Sequence, residues 1–289
     1  MKKSRHSGSA FDRINGLFMI LLSASMLFPF LYIAAGSLSS GTAILQGRVS
    51  IFPVEWTWVN YQAVFRNAAI WNSFVVTAFI TVVGTFFNLL LTSLMAYGLA
   101  RKELRGRTLI MLCIIFTMIF PAPLIPSYLL VKSLGMLNTL QALIVPSAIS
   151  AFNLIIMISF FRSLPEGLLE SARIDGAGEY RTWLSIAIPL SLPSITTIGL
   201  FYAVTHWNSY FAAIIYIRDP KLYPLQVKLR QLLVENDAEQ MMQAVEVNLS
   251  SLEGIKMATI IVATLPILFV YPFIQKHFIK GSMLGSIKE

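Results

Sequence analysis

The chain has 289 residues, 56% hydrophobic and only 12% charged, with mean hydropathy +0.70 and a net charge of +8. A soluble domain carries about 25% charged residues, so this composition excludes a disordered chain and argues against a water-soluble enzyme. In so apolar a chain a basic surplus marks membrane-flanking charge rather than a nucleic-acid footprint. The single cysteine, Cys113, lies in an apolar run as a small hydrophobe and excludes an intrachain disulfide.

Six windows lack Asp, Glu, Lys and Arg: 14–47, 67–100, 108–131, 133–161, 182–217 and 257–275. Each is long enough for the ~20 apolar residues that span a bilayer as a helix. They predict an all-α integral membrane protein with transmembrane helices at about 14–37, 71–99, 108–131, 138–161, 186–208 and 257–275. The first window follows Lys2, Lys3, Arg5 and Arg13 as a signal peptide would, but its apolar run exceeds a signal h-region of about 7–15 residues. It is read as an uncleaved helix, bent at Pro29.

Alternating polar segments carry unequal basic charge. The N-terminal tail, the 101–107 loop, the 162–181 loop and the C-terminal tail hold 14 Lys/Arg, the other set 8, with seven acids in each. The basic-rich set is assigned to the cytoplasm, which puts both termini there. The resulting organisation is a cytoplasmic tail (1–13), a six-helix membrane domain (14–276) with a cytoplasmic loop at 163–189 and an outer loop at 209–256, and a second cytoplasmic tail (277–289).

The outer loop at about 38–70 contains Trp56 and Trp58, followed by Trp71, which suit an interfacial belt. The 209–256 loop holds Glu235, Asp237, Glu239 and Glu246, and its Leu225, Leu229, Leu232 and Leu233 fall on one helical face. That face fits an amphipathic piece on the membrane or bundle, or a docking element for an outside partner.

Several functions are disfavoured by missing residues. No Asp, Glu, Lys or Arg lies inside any window, which counts against an ion-coupled transporter or a voltage sensor. The histidines are His6, His206 and His277, which supply no converging metal ligands. His206 and Ser209 alone do not make a hydrolytic site; His206 is read as a polar group near the outer end of helix 5. No glycine precedes a lysine, so the chain has no P-loop.

The most informative segment is 163–189, SLPEGLLESARIDGAGEYRTWLSIAIP. Ser163 is placed as the cap of a short helix with Pro165 and Glu166 in its first turn. Asp175-Gly176 ends that helix, since glycine accepts the left-handed backbone of a helix stop. A second short helix follows at about 178–187, and Pro189 allows a turn into the membrane. The product is a knuckle whose small residues Ser171, Ala172, Gly176 and Ala177 admit a partner closely.

This segment resembles the signature loop of ABC importer permeases, E-A-A-x3-G-x9-I-x-L-P. Glu170, Ala172, Gly176, Ile186 and Pro189 are in register, while Ser171 replaces the second motif residue and Ile188 the leucine. The six windows, the outer loop between helices 5 and 6 and the ending 278–289 resemble the carbohydrate, maltose-type branch. Leu129–Gly135 and Thr197–Asn208 are most similar to permeases for oligosaccharides from plant or algal polysaccharides.

The resemblance implies an ABC importer permease fold in the bacterial cytoplasmic membrane, and a transport subunit rather than an enzyme. It implies a heterodimer with a paralogous permease, two ABC ATPase subunits that hold the ATP and Mg, and an extracytoplasmic sugar-binding protein. It also implies surrounding membrane lipid, no nucleic-acid partner, and no cofactor or metal on this chain. Glu170, Ser171, Ala172, Asp175, Gly176 and Ala177 would contact the ATPase as a coupling helix, moving the pore by alternating access. The 209–256 loop would probe the binding protein, and Lys280–Lys288 would reach the ATPase interface. Tyr202, Trp207, Asn208, Tyr210 and Phe211 are candidate sugar contacts, with Asn72, Asn88 and Asn153 as further polar ones; the alternative for each aromatic is lipid facing or interfacial anchoring. The competing functions are an ABC permease for a non-sugar solute and a membrane scaffold or sensor that holds a partner on the knuckle.

Overall fold

The computed structural model describes residues 10–234 and 252–284, with side chains to 269, and the described residues form helices and turns without strands. The elements are α1 (Ala10–Ser37), α2 (Gly41–Leu45), α3 (Val59–Arg66), α4 (Ala68–Ala100), α5 (Arg107–Ile119), α6 (Leu124–Ser133), α7 (Gln141–Ile144), α8 (Ala151–Arg162) and α9 (Glu166–Ile174). They continue as α10 (Glu179–Thr182), α11 (Ile188–Leu190), α12 (Leu192–Trp207), α13 (Phe211–Tyr216), α14 (Leu225–Val234) and α15 (Leu252–Leu284).

By length and composition three helices can cross a membrane, at Phe11–Ser37, Ala68–Ala100 and Leu252–Phe269, and up to six spans exist if each of three bent pairs counts as one. The sequence predicts one helix at each of the six places, with a bend at Pro29 and a turn into the membrane at Pro189. Proline explains the three breaks, because it lacks an N–H and its ring collides with the carbonyl four residues back. Pro121 and Pro123 separate α5 from α6, which meet at 115°. Pro146 lies in the 3-10 turn Val145–Ser147 before α8, where the bend is 54°. Pro189 and Pro193 flank Ser191, where the chain bends by 86° into α12. Pro29, by contrast, lies inside α1, which is continuous from Ala10 to Ser37. The last helix runs to Leu284, past its expected end near 275.

The described chain divides into two compact units. The first comprises residues up to 68 with 229–265, the second 69–228 with residues from 266 onward. In the first unit, Ala35, Ala43, Ile44 and Val49 form a small core with Met257 against it. Asn60, fully enclosed, donates to the Ser37 and Ser39 carbonyls at 3.0 Å each. Ser40 caps α2 and also bonds Glu55, whose carboxylate pairs with Arg48 at 2.5 Å. α1 leaves Phe18, Leu21, Phe28 and Phe30 exposed at a hydropathy of 2.2, a surface fit for hydrocarbon or another protein rather than water.

The second unit holds two apolar clusters. One joins Tyr97 of α4, Ile114 of α5, Leu154, Met157 and Phe161 of α8, and Ile198 and Tyr202 of α12. The other joins Val76 and Ile80 of α4, Val131 of α6, Leu143 of α7, Ala213 and Tyr216 of α13, and Val227 of α14. Along α4 the buried positions Ser73, Thr77, Ile80, Gly84, Asn88 and Thr92 recur three or four residues apart, one helical stripe of small and polar side chains facing inward. The apolar face expected on α14 is present at Leu225, Leu229 and Leu232, whereas Leu233 is exposed and Val227 is buried in its place. Glu235, Asp237, Glu239 and Glu246 lie outside the described residues, as do the side chains of the C-terminal tail.

Candidate functional site

The knuckle begins differently from its sequence reading. Ser163 closes α8, donating from Oγ to the Phe160 carbonyl at 2.7 Å, and Pro165 stands at the N-cap of α9 without a side-chain cap. The residue before a proline is pushed out of the helical region, so Leu164 breaks the chain and α9 starts at Glu166. Its end is as the sequence predicts. Asp175 is the C-cap, Gly176 takes φ +78°, and the Gly176 and Ala177 amides bond back to Arg173 and Ala172 at 3.0 and 2.9 Å. The second helix is shorter than expected, Glu179–Thr182, and continues as a π-helical turn over Trp183–Ala187. That wider turn precedes Pro189, which has no N–H to give to the preceding turn.

Of the predicted coupling residues, Glu170, Ser171, Asp175 and Gly176 are exposed, Ala177 is half-buried and Ala172 is buried. Ala172 therefore packs toward its own chain. The outward surface gains large apolar groups instead: Leu168, Tyr180 and, above all, Ile174, which is 87% exposed within a polar loop.

Sequence reasoning missed Glu179. Its Oε2 accepts from the Tyr97 hydroxyl at 2.8 Å and from Arg101 at 3.3 Å, and its Oε1 accepts from Arg173 Nη2 at 2.9 Å and Nε at 3.1 Å. Arg101 also bonds Tyr97 and lies 4.6 Å over its ring. One carboxylate thus ties both sides of the glycine turn to the end of α4. Partial burial would raise its pKa, but the hydrogen bonds from Tyr97 and Arg173, with the two guanidinium charges, hold it below its ordinary value of 4.5. The same contact raises Arg173. The available signal was an acid three residues after the turn glycine; its partners lie 78 and 82 positions away.

The predicted sugar-contact residues do not converge. Tyr202 is enclosed, its hydroxyl shared with Thr92 at 2.7 Å and accepting from the Ser150 amide at 2.9 Å. Trp207 is buried edge-on to Phe74, with ring centroids 5.8 Å apart. Asn208 bonds the Val204 carbonyl and Gln226. Tyr210 packs beside the α13 cluster, and Phe211 is exposed. Asn72 donates to the Lys221 carbonyl. Asn88, Asn153 and Tyr202 instead line one cavity of about 350 Å³.

His206, 2% exposed, lies beside Asn88. Asn88 Nδ2 gives one N–H to the Ser147 carbonyl at 3.2 Å and reaches His206 Nε2 at 3.1 Å. The carbonyl fixes the amide as donor, so the imidazole accepts at Nε2. Gly84 makes room for the ring, since a Cβ there would meet Nε2 at 2.6 Å. Gly84→Val is therefore expected to destabilise the protein by about 1–3 kcal/mol through overpacking. The check is thermal unfolding in detergent, with partial recovery when His206→Ala is added.

Residues 88–282 match the family described as binding-protein-dependent transport system inner membrane component. The chain is 47% identical over 287 residues to protein LplC of Bacillus subtilis strain 168, covering 98% of this chain and 96% of that protein. It is 43% identical over 280 residues to the polygalacturonan/rhamnogalacturonan transport system permease protein YtcP of the same organism, covering 96% and 98%. A chain from the crystal structure of a bacterial ABC transporter involved in the import of the acidic polysaccharide alginate superposes with TM-score 0.89 at 35% identity, over 94% of this chain and 99% of that one. An all-helical chain with broken apolar spans and a glycine-ended knuckle, matched along nearly its whole length, belongs to the binding-protein-dependent inner membrane components, the permease subunits of ABC importers.

Proposed function

We propose that this chain is one half of the pore of a sugar importer, paired with a second permease, and that it carries oligosaccharides released from a plant or algal polysaccharide. Two ATPase subunits bind ATP and Mg, an extracytoplasmic protein delivers the sugar, and both termini of this chain face the cytoplasm. The observation that carries the coupling role is the exposed apolar tip of the knuckle, with Ile174 87% exposed next to the Gly176 turn. A large apolar side chain in a polar loop fits a partner's cleft. ATP-driven movement of that partner shifts the pore between two states through differential contacts at this tip. The carbohydrate reading is supported by the polygalacturonan/rhamnogalacturonan permease and by the alginate importer. A sensor or scaffold has no comparable support.

The test is reconstitution with the co-encoded permease, ATPase and binding protein, measuring ATP hydrolysis with oligogalacturonate, alginate oligosaccharide or arabino-oligosaccharide. Stimulation that requires the sugar-loaded binding protein is the expected result. A complex that assembles but answers to none of these sugars overturns the carbohydrate reading, and four folded components that never assemble overturn the coupling reading.

A further inference from the structure

The cavity shared by Asn88, Asn153 and Tyr202 contains a polar side chain that makes no hydrogen bond among the described residues. Most of the polar side chains in its wall are occupied. The Tyr202 hydroxyl serves Thr92 and Ser150, Thr205 bonds the Phe201 carbonyl, and Ser147 bonds the Ile144 carbonyl. Ser150 caps α8 by accepting from the Asn153 amide nitrogen. The Asn153 side chain is different. The residue is only 5% exposed, lines the cavity, and its side-chain amide makes no hydrogen bond among the described residues. Its amide atoms are not among the sealed, unpartnered ones, whereas Asn88 Oδ1 is. The amide is therefore open to the cavity with its hydrogen-bonding groups free for a ligand.

The walls indicate what ligand. Phe152 and Phe201 line the same cavity, with ring centroids 6.4 Å apart and planes inclined at 42°. Among the described residues no charged side chain lines it. An amide presents one donor edge and one acceptor edge side by side, which complements two adjacent hydroxyls. The aromatic faces suit the C–H side of a sugar ring, an apolar surface over which an amphipathic ligand packs.

We propose that Asn153 is a sugar-binding residue within the membrane, holding the vicinal hydroxyls of a pyranose unit while Phe152 and Phe201 pack against its C–H side. This site reads hydroxyls and not carboxylates, so any acidic group on the substrate is handled elsewhere. The proposal rests on the carbohydrate reading above.

The experiment uses the whole importer in proteoliposomes and measures sugar taken up per ATP hydrolysed, with labelled trigalacturonate and labelled raffinose as acidic and neutral probes. Asn153→Leu is expected to leave the unfolding temperature of the complex close to that of the wild type, because the amide makes no hydrogen bond among the described residues. ATP hydrolysis stimulated by the loaded binding protein should persist, while uptake per ATP falls about tenfold, near the 1.4 kcal/mol that one lost hydrogen-bonding group accounts for. Should Asn153→Leu fail to assemble, Asn153→Ser decides by the same ratio. An unchanged ratio in a wild-type-responsive system overturns the Asn153 assignment alone. A wild-type complex that transports neither probe overturns the carbohydrate reading for both and this assignment with it.

Discussion

Gly176→Trp abolishes sugar-stimulated ATP hydrolysis while leaving the chain inserted in the membrane. Two effects act at this position and can be separated. Gly176 has φ +78°, and a residue with a Cβ pays roughly 1–2 kcal/mol to adopt it. A Cβ at 176 meets nothing within 4 Å in this chain, so steric conflict arises only against a partner. Gly176→Asn tolerates the left-handed backbone and should retain most coupling. Gly176→Ala carries the strain alone and should lose a part, up to about tenfold if all of a ~1.4 kcal/mol strain appears in the coupled state. Gly176→Trp adds bulk where the ATPase is proposed to sit. The measurement is hydrolysis by the reconstituted complex with and without loaded binding protein, beside a pull-down of the ATPase. Full stimulation in the tryptophan variant removes the coupling role from this turn.

Glu179→Lys uncouples the complex by loosening the knuckle from the end of α4. Magnitudes set the expectation. An exposed ion pair contributes about 0–1 kcal/mol, and a hydrogen bond to a charged group about 1.5–3 kcal/mol. The Glu179 side chain is 54% exposed and that of Arg101 only 17%, which places the clamp between these limits. Lysine at 179 also sets a third cation beside Arg101 and Arg173. Stimulated hydrolysis should fall by about tenfold, the effect of ~1.4 kcal/mol, whereas Glu179→Gln keeps partial hydrogen bonding and falls less. The pH dependence has a defined sign. The Glu179 carboxyl is held below 4.5 in the folded chain, so its contribution is complete above that value and is lost as pH falls through the lower folded value. The stability advantage of the wild type over Glu179→Gln, followed by thermal unfolding from neutral to acid pH, should therefore shrink only below about pH 4.5. An advantage that is flat across this window removes the clamp.

How much was legible depended on the range over which each residue acts. The charge-free windows located the three helices long enough to cross a membrane and the three bent pairs, because exclusion of charge from hydrocarbon is a property of single residues. Gly176 announced its own turn for the same reason: its backbone freedom is intrinsic. The bends were also written locally, in Pro121, Pro123, Pro146, Pro189 and Pro193, but a hydropathy window averages over proline and reports length only.

The candidate sugar contacts were less legible. Tyr202, Trp207, Asn208, Tyr210 and Phe211 are neighbours in sequence, yet α12 turns about 100° per residue between Tyr202 and Trp207, ends at its C-cap Asn208, and α13 starts a new course at Phe211. Tyr202 goes into the core, Trp207 against Phe74, and Phe211 outward. The cavity draws instead on Asn88, Ser150, Asn153 and Tyr202 from three helices and a turn. Glu179 likewise needs partners about 80 residues away. The sequence by itself determined that this chain is an apolar helical membrane protein with a glycine-ended signature knuckle. Only the tertiary structure decided which polar side chains satisfy one another and which, like that of Asn153, remain available, because hydrogen-bond saturation is a property of the packed ensemble of helices and not of any one segment.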